Sequence, residues 1–312
     1  GAPRCLFEAA YRHGKSEGSF LQSRITVPCT LYPFILFFMN INPSIFKAYD
    51  IRGVVPDEIT KETAYRVGRA YISYLRNNPT LEGPIQIVVS SDARPSSPEL
   101  KQELIRGMVE EDAQATIIDT GLATTPMHYF AINYLRADGG VTVTASHNPK
   151  EYNGFKLSRR GAATIYQGGG MEEVKNSVMR GVFEAPRGQG KVTQNNLEHD
   201  YIEFLLSNIP AHEFTRRLKV VFDCGNGMAG LLLRRLAERL PIDFEILYED
   251  IDMTFPNHEA NPAKNETLVS LRRRVLENGA DLGVATDGDG DRVGFLTHEG
   301  ERVPADFITA LL

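Results

Sequence analysis

The sequence predicts an α/β protein with mainly parallel sheets, divided into two consecutive halves. Three observations carry that expectation. From Met39 onward, short apolar strands alternate with helical periods, the pattern of strands joined by crossover helices. Residues 185–196 are polar, contain Pro and Gly and show no periodicity, so a linker is expected there. The length, 312 residues, suits two domains of roughly 150 residues each.

In the first half, residues 60–78 place Ala64, Val67, Gly68, Tyr71 and Leu75 at the i, i+3, i+4, i+7 spacing of an amphipathic helix. Residues 86–90 (QIVVS) read as a strand. Ser97-Pro98 reads as an N-cap with proline at the first helical position, opening a helix through Leu100, Leu104 and Met108. Strand 115–119 comes next, then a helix opened by Thr125-Pro126 and running to Leu135, strand 140–145 (GVTVTA) and helix 171–179. Beyond the linker the alternation resumes with helix 201–206, strand 219–223, helix 229–240, strand 243–248, helix 268–277 and strand 281–285. Residues 293–296, a turn at 298–301 and Arg302-Val303 make a hairpin. Residues 1–38 start without Met and carry no sustained period, and they are expected to be a non-native or disordered leader before Met39-Asn-Ile-Asn-Pro. Residues 306–312 begin an apolar, helix-like run that stops without a polar cap, Gly or Pro, so the chain is expected to end inside an element.

Composition narrows the function. Hydrophobic residues at 42% and charged residues at 24% exclude wholesale disorder. A net charge of −6 offers nothing global to nucleic acid or anionic lipid, so neither is expected as a partner, and an anionic ligand needs local basic residues. Cys5, Cys29 and Cys224 are odd in number and lack CxxC spacing, which argues against a disulfide framework or a zinc site and leaves a reducing cytoplasm as the default. The longest apolar run, 31–39, is about half of the ~20 residues that span a bilayer. Arg12, Lys15 and Arg24 before it mimic a signal peptide, but no small-x-small cleavage site follows, and a cytoplasmic location is expected.

Three constellations could carry chemistry. Thr144-Ala-Ser146-His-Asn-Pro149 sits where the GVTVTA strand ends, and ligands of parallel α/β sheets bind at the carboxyl ends of strands. Asn-Pro favours a turn that lifts Ser146 off the sheet edge, although the same residues are ordinary turn chemistry. His147 beside it does not indicate a hydrolase triad, whose members meet in space, and no GxSxG surrounds the serine. The second is Asp287-Gly-Asp289-Gly-Asp291-Arg292, where alternate carboxylates can turn toward one point. Like charges so close raise one another's pKa, and hard oxygen ligands suit Mg²⁺ or Ca²⁺. An EF-hand is excluded because Arg292 and His298 stand where Gly and Glu are required. The third, Gly225-Asn-Gly227-Met-Ala-Gly230, is a formal GxGxxG between strand and helix, with Glu249 or Asp250 near the offset of a ribose-binding acid. An NAD-binding oxidoreductase is therefore the alternative function, although Asp223 lies close to where pyrophosphate would sit.

Taken together, Phe46-Lys-Ala-Tyr-Asp-Ile-Arg-Gly53, Thr144-Ala-Ser-His-Asn-Pro149, Tyr152-Asn-Gly-Phe-Lys156, Asp223-Cys-Gly-Asn-Gly227 and Asp287-Gly-Asp-Gly-Asp-Arg292 resemble the α-D-phosphohexomutase family. The AYDIRG form looks like its phosphomannomutase/phosphoglucomutase branch, and the motifs stand in family order over about 250 residues. The resemblance implies two consecutive three-layer α/β/α domains with mixed, mainly parallel sheets, in a chain truncated at the start of a third similar domain. It assigns residues 39–190 to domain I, 191–298 to domain II and 299–312 to an opening stub of domain III. It implies a phosphoserine at Ser146, and Mg²⁺ held by that group with Asp287, Asp289 and Asp291. The implied reaction interconverts hexose 6-phosphate and hexose 1-phosphate, of mannose or glucose, through a bound hexose 1,6-bisphosphate. It places Arg52 and Lys156 beside the serine, with Lys156 assisting proton transfer, Tyr49 on the same wall and Arg292 holding substrate. Asp92 and Arg94 lie at another strand end, in a segment altered from the family pattern, and receive no role. The family's sugar-recognition and phosphate-binding loops belong to its third and fourth domains, so this chain alone is expected to turn over poorly, and an inactive fragment is a further alternative. Sugar phosphates are the expected partners.

Overall fold

A computed structural model describes residues 4–10, 22–28, 41–78, 81–186, 188–209 and 215–311. The apolar run 31–39, Cys29 and the expected start at Met39 lie outside the described residues. The chain forms two compact units, 1–41 and 42–312. In the first, where the sequence signals no element, strands β1 (Arg4–Ala10) and β2 (Gln22–Pro28) pair antiparallel.

The second unit holds two sheets. The first is built from β3 (Ile51–Val54), β4 (Gln86–Ser91), β5 (Thr116–Leu122), β6 (Gly139–Val143), β7 (Tyr152–Arg159), β8 (Ala163–Thr164) and β9 (Lys191–Gln194). Their order is β3-β7-β6-β4-β5-β9, with β8 on β7. Pairings around β4 and β5 are parallel, whereas β7 runs antiparallel to β3, β6 and β8. The mixed-sheet α/β expectation therefore holds, with three parallel and three antiparallel pairings in this sheet, the antiparallel ones all made by β7 with β3, β6 and β8. The sequence signal missed β3, β7 and β8 because they are short, or buried along nearly their whole length, so no polar alternation marks them. One expectation is corrected here. The stretch read as a linker contains β9, which extends this sheet parallel to β5, so the first sheet ends at Gln194 and not before residue 191. Its mostly exposed edge position explains why its residues look polar and aperiodic.

Helices α1 (Lys61–Arg76), α2 (Ser97–Glu111), α3 (Thr125–Tyr134) and α4 (Met171–Arg180) flank the sheet. Adjacent glycines of β6 show two covered faces. Gly139 lies under the hydroxyl of Tyr71 from α1, and Gly140 lies against His128 and Ile132 from α3. One helix cap differs from the expected one. Ser96, not Ser97, precedes the first turn of α2, and Thr124 precedes that of α3, so the Ser97 hydroxyl donates to Asp92 and the Thr125 hydroxyl to the distant Asp289.

The second sheet has the order β11-β10-β12-β13, from β10 (Leu218–Asp223), β11 (Ile242–Leu247), β12 (Leu282–Thr286) and β13 (Val293–Thr297). Its helices are α5 (Glu198–Ser207), α6 (Gly230–Ala237) and α7 (Val269–Asn278). The return arm of the predicted hairpin pairs with β13, Val303 N donating to Phe295 O at 2.9 Å, so it belongs to this sheet; α8 (Ala305–Leu311) follows. Val221, Leu271, Val275, Ala285 and Leu296 form this domain's core. A separate apolar cluster joins the halves, running from Val88 of β4 through Met127 and Ala131 of α3 to Tyr201 and Ile202 of α5 and Leu232 of α6. Phe130 packs on Tyr201 and Phe204 at 5.2 and 5.0 Å, which ties α3 to α5. Burial at this seam sets the carboxyl ends of β6 and β12 against each other.

Candidate active site

Strand β6 is buried throughout and ends at Val143, and the chain then turns through Thr144 and Ala145 into Ser146. Ser146 is fully buried and adopts a left-handed backbone conformation, φ 51°. An L-residue pays roughly 1–2 kcal/mol for that geometry, so surrounding contacts must hold it. They are visible. Ser146 N donates to Thr144 Oγ1 at 3.0 Å, and Ser146 O accepts from Arg94 Nη2 at 2.9 Å.

The aspartate loop leaves the end of β12. Asp287 Oδ1 accepts the backbone N–H groups of Asp291 and Arg292, both at 3.1 Å, which closes the loop on its first carboxylate. Gly290 has φ 75°, the turn that brings Asp291 back toward Asp287. Gly288 is needed for a different reason. A Cβ there would lie 2.5 Å from Ser146 O, so only a bare backbone lets the two loops touch.

Across that contact Ser146 Oγ donates to Asp287 Oδ2 at 2.6 Å, and Arg292 Nη2 donates to Ser146 Oγ at 3.1 Å. Asp289 is nearly fully buried and sits at the N-terminus of α3, where Thr125 N donates to its carbonyl and Thr125 Oγ1 to its Oδ2 at 2.6 Å. The positive end of the helix dipole favours the carboxylate there. Lys156 Nζ donates to Asp289 Oδ2 at 2.6 Å and to Asp291 Oδ2 at 2.5 Å.

The charges explain one another. Burial, with Asp289 and Asp291 close by, pushes the Asp287 carboxyl well up. Burial also opposes ionisation of Asp289, but the Lys156 ammonium outweighs it and holds that carboxyl low. Burial alone would lower the Lys156 pKa, and the two carboxylates reverse that and raise it, so the lysine is an ammonium at neutral pH. Burial, then Arg292 and Arg52, depress His147 to about 4 and keep its ring neutral 3.4 Å from Ser146 Oγ.

Asp287, Asp289 and Asp291 bring one oxygen each within 4.8 Å of one another, an arrangement that can hold a metal ion. The donor set is all oxygen, which suits a hard divalent cation. One observation favours a cation specifically: Asp289 Oδ1 is buried without a hydrogen-bond partner.

The other sequence-derived candidates fall around this centre. Arg52 on β3 reaches the serine loop at Asn148 Oδ1 and pairs with Asp50, and no hydrogen bond joins it to Ser146 itself. Tyr49 is half exposed and lines a cleft with Tyr129, Lys156, Tyr166, Gln167 and Asp291. Arg94 and Thr125 were missed. Arg94 had a visible signal, an Asp92–Arg94 pair at a strand end, whereas Thr125 was read only as the opening of a helix.

The glycine loop is not a pyrophosphate site. The amides of Gly225, Asn226, Gly227, Met228 and Gly230 donate to Asp223 Oδ1, Tyr248 O, Cys224 O, Gly288 O and Gly227 O. Those N–H groups are spent inside the fold, which overturns the NAD alternative. The loop instead props the aspartate loop through Gly288. Asp223, the residue that argued against a dinucleotide, also accepts from His258 Nε2 at 3.1 Å. Cys224 is a buried packing residue, and burial pushes its thiol far above the usual range.

A strained serine at one strand end stands against a carboxylate cluster at another and is ringed by cations, an arrangement in an α/β protein that can seat an anionic group beside a divalent metal. Comparison with known proteins is specific. The model of phosphoglucomutase/phosphomannomutase α/β/α domain I matches residues 43–179 and that of domain II matches residues 199–300. A phosphomannomutase/phosphoglucomutase of Pseudomonas syringae pv. tomato is 40% identical over 276 residues, covering 86% of this chain and 55% of the relative. A phosphomannomutase of Salmonella typhimurium is 39% identical, with 86% and 58% covered. The crystal structure of a phosphoglucomutase/phosphomannomutase family protein from Burkholderia thailandensis superposes with a TM-score of 0.77 at 38% identity, covering 85% of this chain and 57% of that one. The chain belongs to the phosphoglucomutase/phosphomannomutase family, the α-D-phosphohexomutases. It spans little more than half the length of the curated relatives it matches. No helix among the described residues is long and apolar enough to cross a membrane.

Proposed function

We propose that Ser146 carries a phosphoryl group in a hexose-phosphate mutase that interconverts the 6-phosphate and 1-phosphate of mannose or glucose by way of a hexose 1,6-bisphosphate. The supporting observation is the Ser146 Oγ contact with Asp287, 2.6 Å across two strand ends and beside a buried, partnerless carboxylate oxygen. Asp287, Asp289 and Asp291, with the Ser146 phosphoryl, hold Mg²⁺, which when bound offsets negative charge on the transferring group.

The chain's own residues do the rest. When the bisphosphate loads the serine, the bond from phosphorus to the sugar oxygen breaks and a bond from phosphorus to Ser146 Oγ forms. The departing sugar oxygen takes a proton from the Lys156 ammonium, and the Ser146 hydroxyl proton passes along its hydrogen bond to Asp287 Oδ2, so charge and protons balance. Arg292, already on Ser146 Oγ, steadies the incoming phosphoryl oxygens, and Arg52 fixes the loop through Asn148. Tyr49 offers the sugar one wall of the cleft beside Lys156. The buried free thiol of Cys224 suits the reducing cytoplasm in which such metabolism runs.

Incubation with glucose 1,6-bisphosphate and Mg²⁺ tests the reading by intact-mass and peptide mass spectrometry. A gain of one phosphoryl mass located at Ser146, absent in Ser146→Ala, is expected. An unmodified wild-type serine refutes it.

A further inference from the structure

Arg94 lies at the end of β4 with no exposed surface, and its guanidinium is saturated. Nε donates to Asp92 Oδ2 at 3.1 Å, Nη1 to Pro149 O at 2.7 Å and Tyr152 O at 3.1 Å, and Nη2 to Ser146 O at 2.9 Å and Asn148 O at 2.7 Å. Arginine has five N–H donors, and all five are used. Four of the acceptors are backbone carbonyls of the single loop that presents Ser146. Such a loop leaves its carbonyls without ladder partners, and one planar cation collects them.

The carbonyl of Ser146 is the critical one. On one side it accepts from Arg94, and on the other it meets the backbone of Gly288 in the aspartate loop. Its position therefore sets both the left-handed turn at Ser146 and the distance of Oγ from Asp287. The guanidinium is covered by the ring of Phe255, from the second domain, with its carbon 5.4 Å from the ring centre. The same ring reaches Gly288, its Cζ lying 3.3 Å from where a Cβ would be. Phe255 thus touches the holder of the serine loop and the loop that carries Asp287.

We propose that Arg94 is the positioning residue for Ser146, clamping the 146–152 loop by its carbonyls, and that Phe255 locks this clamp to the aspartate loop of the second domain. The inference rests on the reading of Ser146 as the phosphoryl carrier, but the clamp itself is a property of the loop and can be read separately.

The test compares wild type, Arg94→Gln and Phe255→Leu by two measurements. Hydrogen exchange on the peptide spanning 144–153 reports the clamp. Single-turnover phosphorylation by glucose 1,6-bisphosphate with Mg²⁺ reports its use. In Arg94→Gln, exchange in the loop should quicken by about tenfold or more while strands β10 to β13 keep wild-type protection. The saturating phosphorylation rate should fall by about a hundredfold, the loss expected from a misplacement near 1 Å. The half-saturating bisphosphate concentration should move by less than about threefold, a split that general loss of structure does not produce. Phe255→Leu should show smaller changes in the same direction, and it decides the matter if Arg94→Gln fails to fold. Unchanged loop exchange overturns the proposal, as does a preserved saturating rate in a folded variant. If wild type takes up no phosphoryl group, the reading of Ser146 falls, and loop exchange alone sustains or overturns the clamp.

Discussion

Ser146 and Asp287 stand 141 positions apart in the chain, yet Ser146 Oγ donates to Asp287 Oδ2 across 2.6 Å. The pair joins the end of a strand in one sheet to the end of a strand in another. Its geometry depends on the apolar seam between α3 and α5 and on the bare backbone of Gly288.

Gly288→Ala tests that closeness directly. The new methyl would sit 2.5 Å from Ser146 O, so the loops must part. Overpacking of this kind costs about 1–3 kcal/mol. Urea unfolding should show that loss, and phosphoryl uptake at Ser146 should fall more steeply than stability does.

Asp289→Asn replaces one buried carboxylate oxygen of the proposed metal site and should weaken Mg²⁺ binding by at least the ~10–100-fold that loss of an outer-shell partner causes. Titration calorimetry with MgCl₂ measures it. Affinity equal to wild type would take Asp289 out of the metal site.

Lys156→Met leaves Asp289 and Asp291 without their ammonium. Removing one partner of a buried ion pair costs about 3–5 kcal/mol, most of it from the carboxylate left behind. Thermal unfolding in EDTA should show the loss. Excess Mg²⁺ should restore more stability to this variant than to wild type, because the cation meets carboxylates that no lysine contests.

His128 predicts an acid-labile fold. It is buried against Ser90, with Nδ1 2.8 Å from the hydroxyl, and burial followed by the charge of Lys156 lowers its pKa to about 3. The unfolded chain titrates near 6.5 and binds the extra proton first, so this group's stability contribution is full above that pH and is lost as pH falls toward 3. At pH 5 the loss is about 2 kcal/mol, at 1.36 kcal/mol per unit. Denaturant midpoints between pH 7 and pH 4 should fall less steeply in His128→Leu than in wild type; parallel slopes would contradict the assignment.

Much of this was legible in the residue order. The periodicity around Ala64 and Tyr71 located α1 within two residues at either end, and runs such as QIVVS and GVTVTA located the central strands, because a buried strand must be apolar and a flanking helix must be amphipathic. Thr144–Pro149 and Asp287–Arg292 were recognisable because phosphoryl and metal chemistry demand particular atoms at fixed spacing. Strand β9 was not legible, since an exposed edge carries no hydrophobic pattern. Arg94 was legible only as part of an Asp92–Arg94 pair at a strand end: an arginine is ordinarily solvated, and only the gathered carbonyls of a distant loop show what it holds.

By itself, then, the sequence determined the α/β class, the family and the two loops, all of which rest on local pattern and residue chemistry. Tertiary structure alone decided which loops meet. It spent the amides of the Gly225–Gly230 turn on internal partners, set the Thr125 hydroxyl on Asp289, and placed Lys156 between two carboxylates. Those outcomes depend on distances between residues far apart in the chain, which burial of the seam fixes and no local pattern encodes.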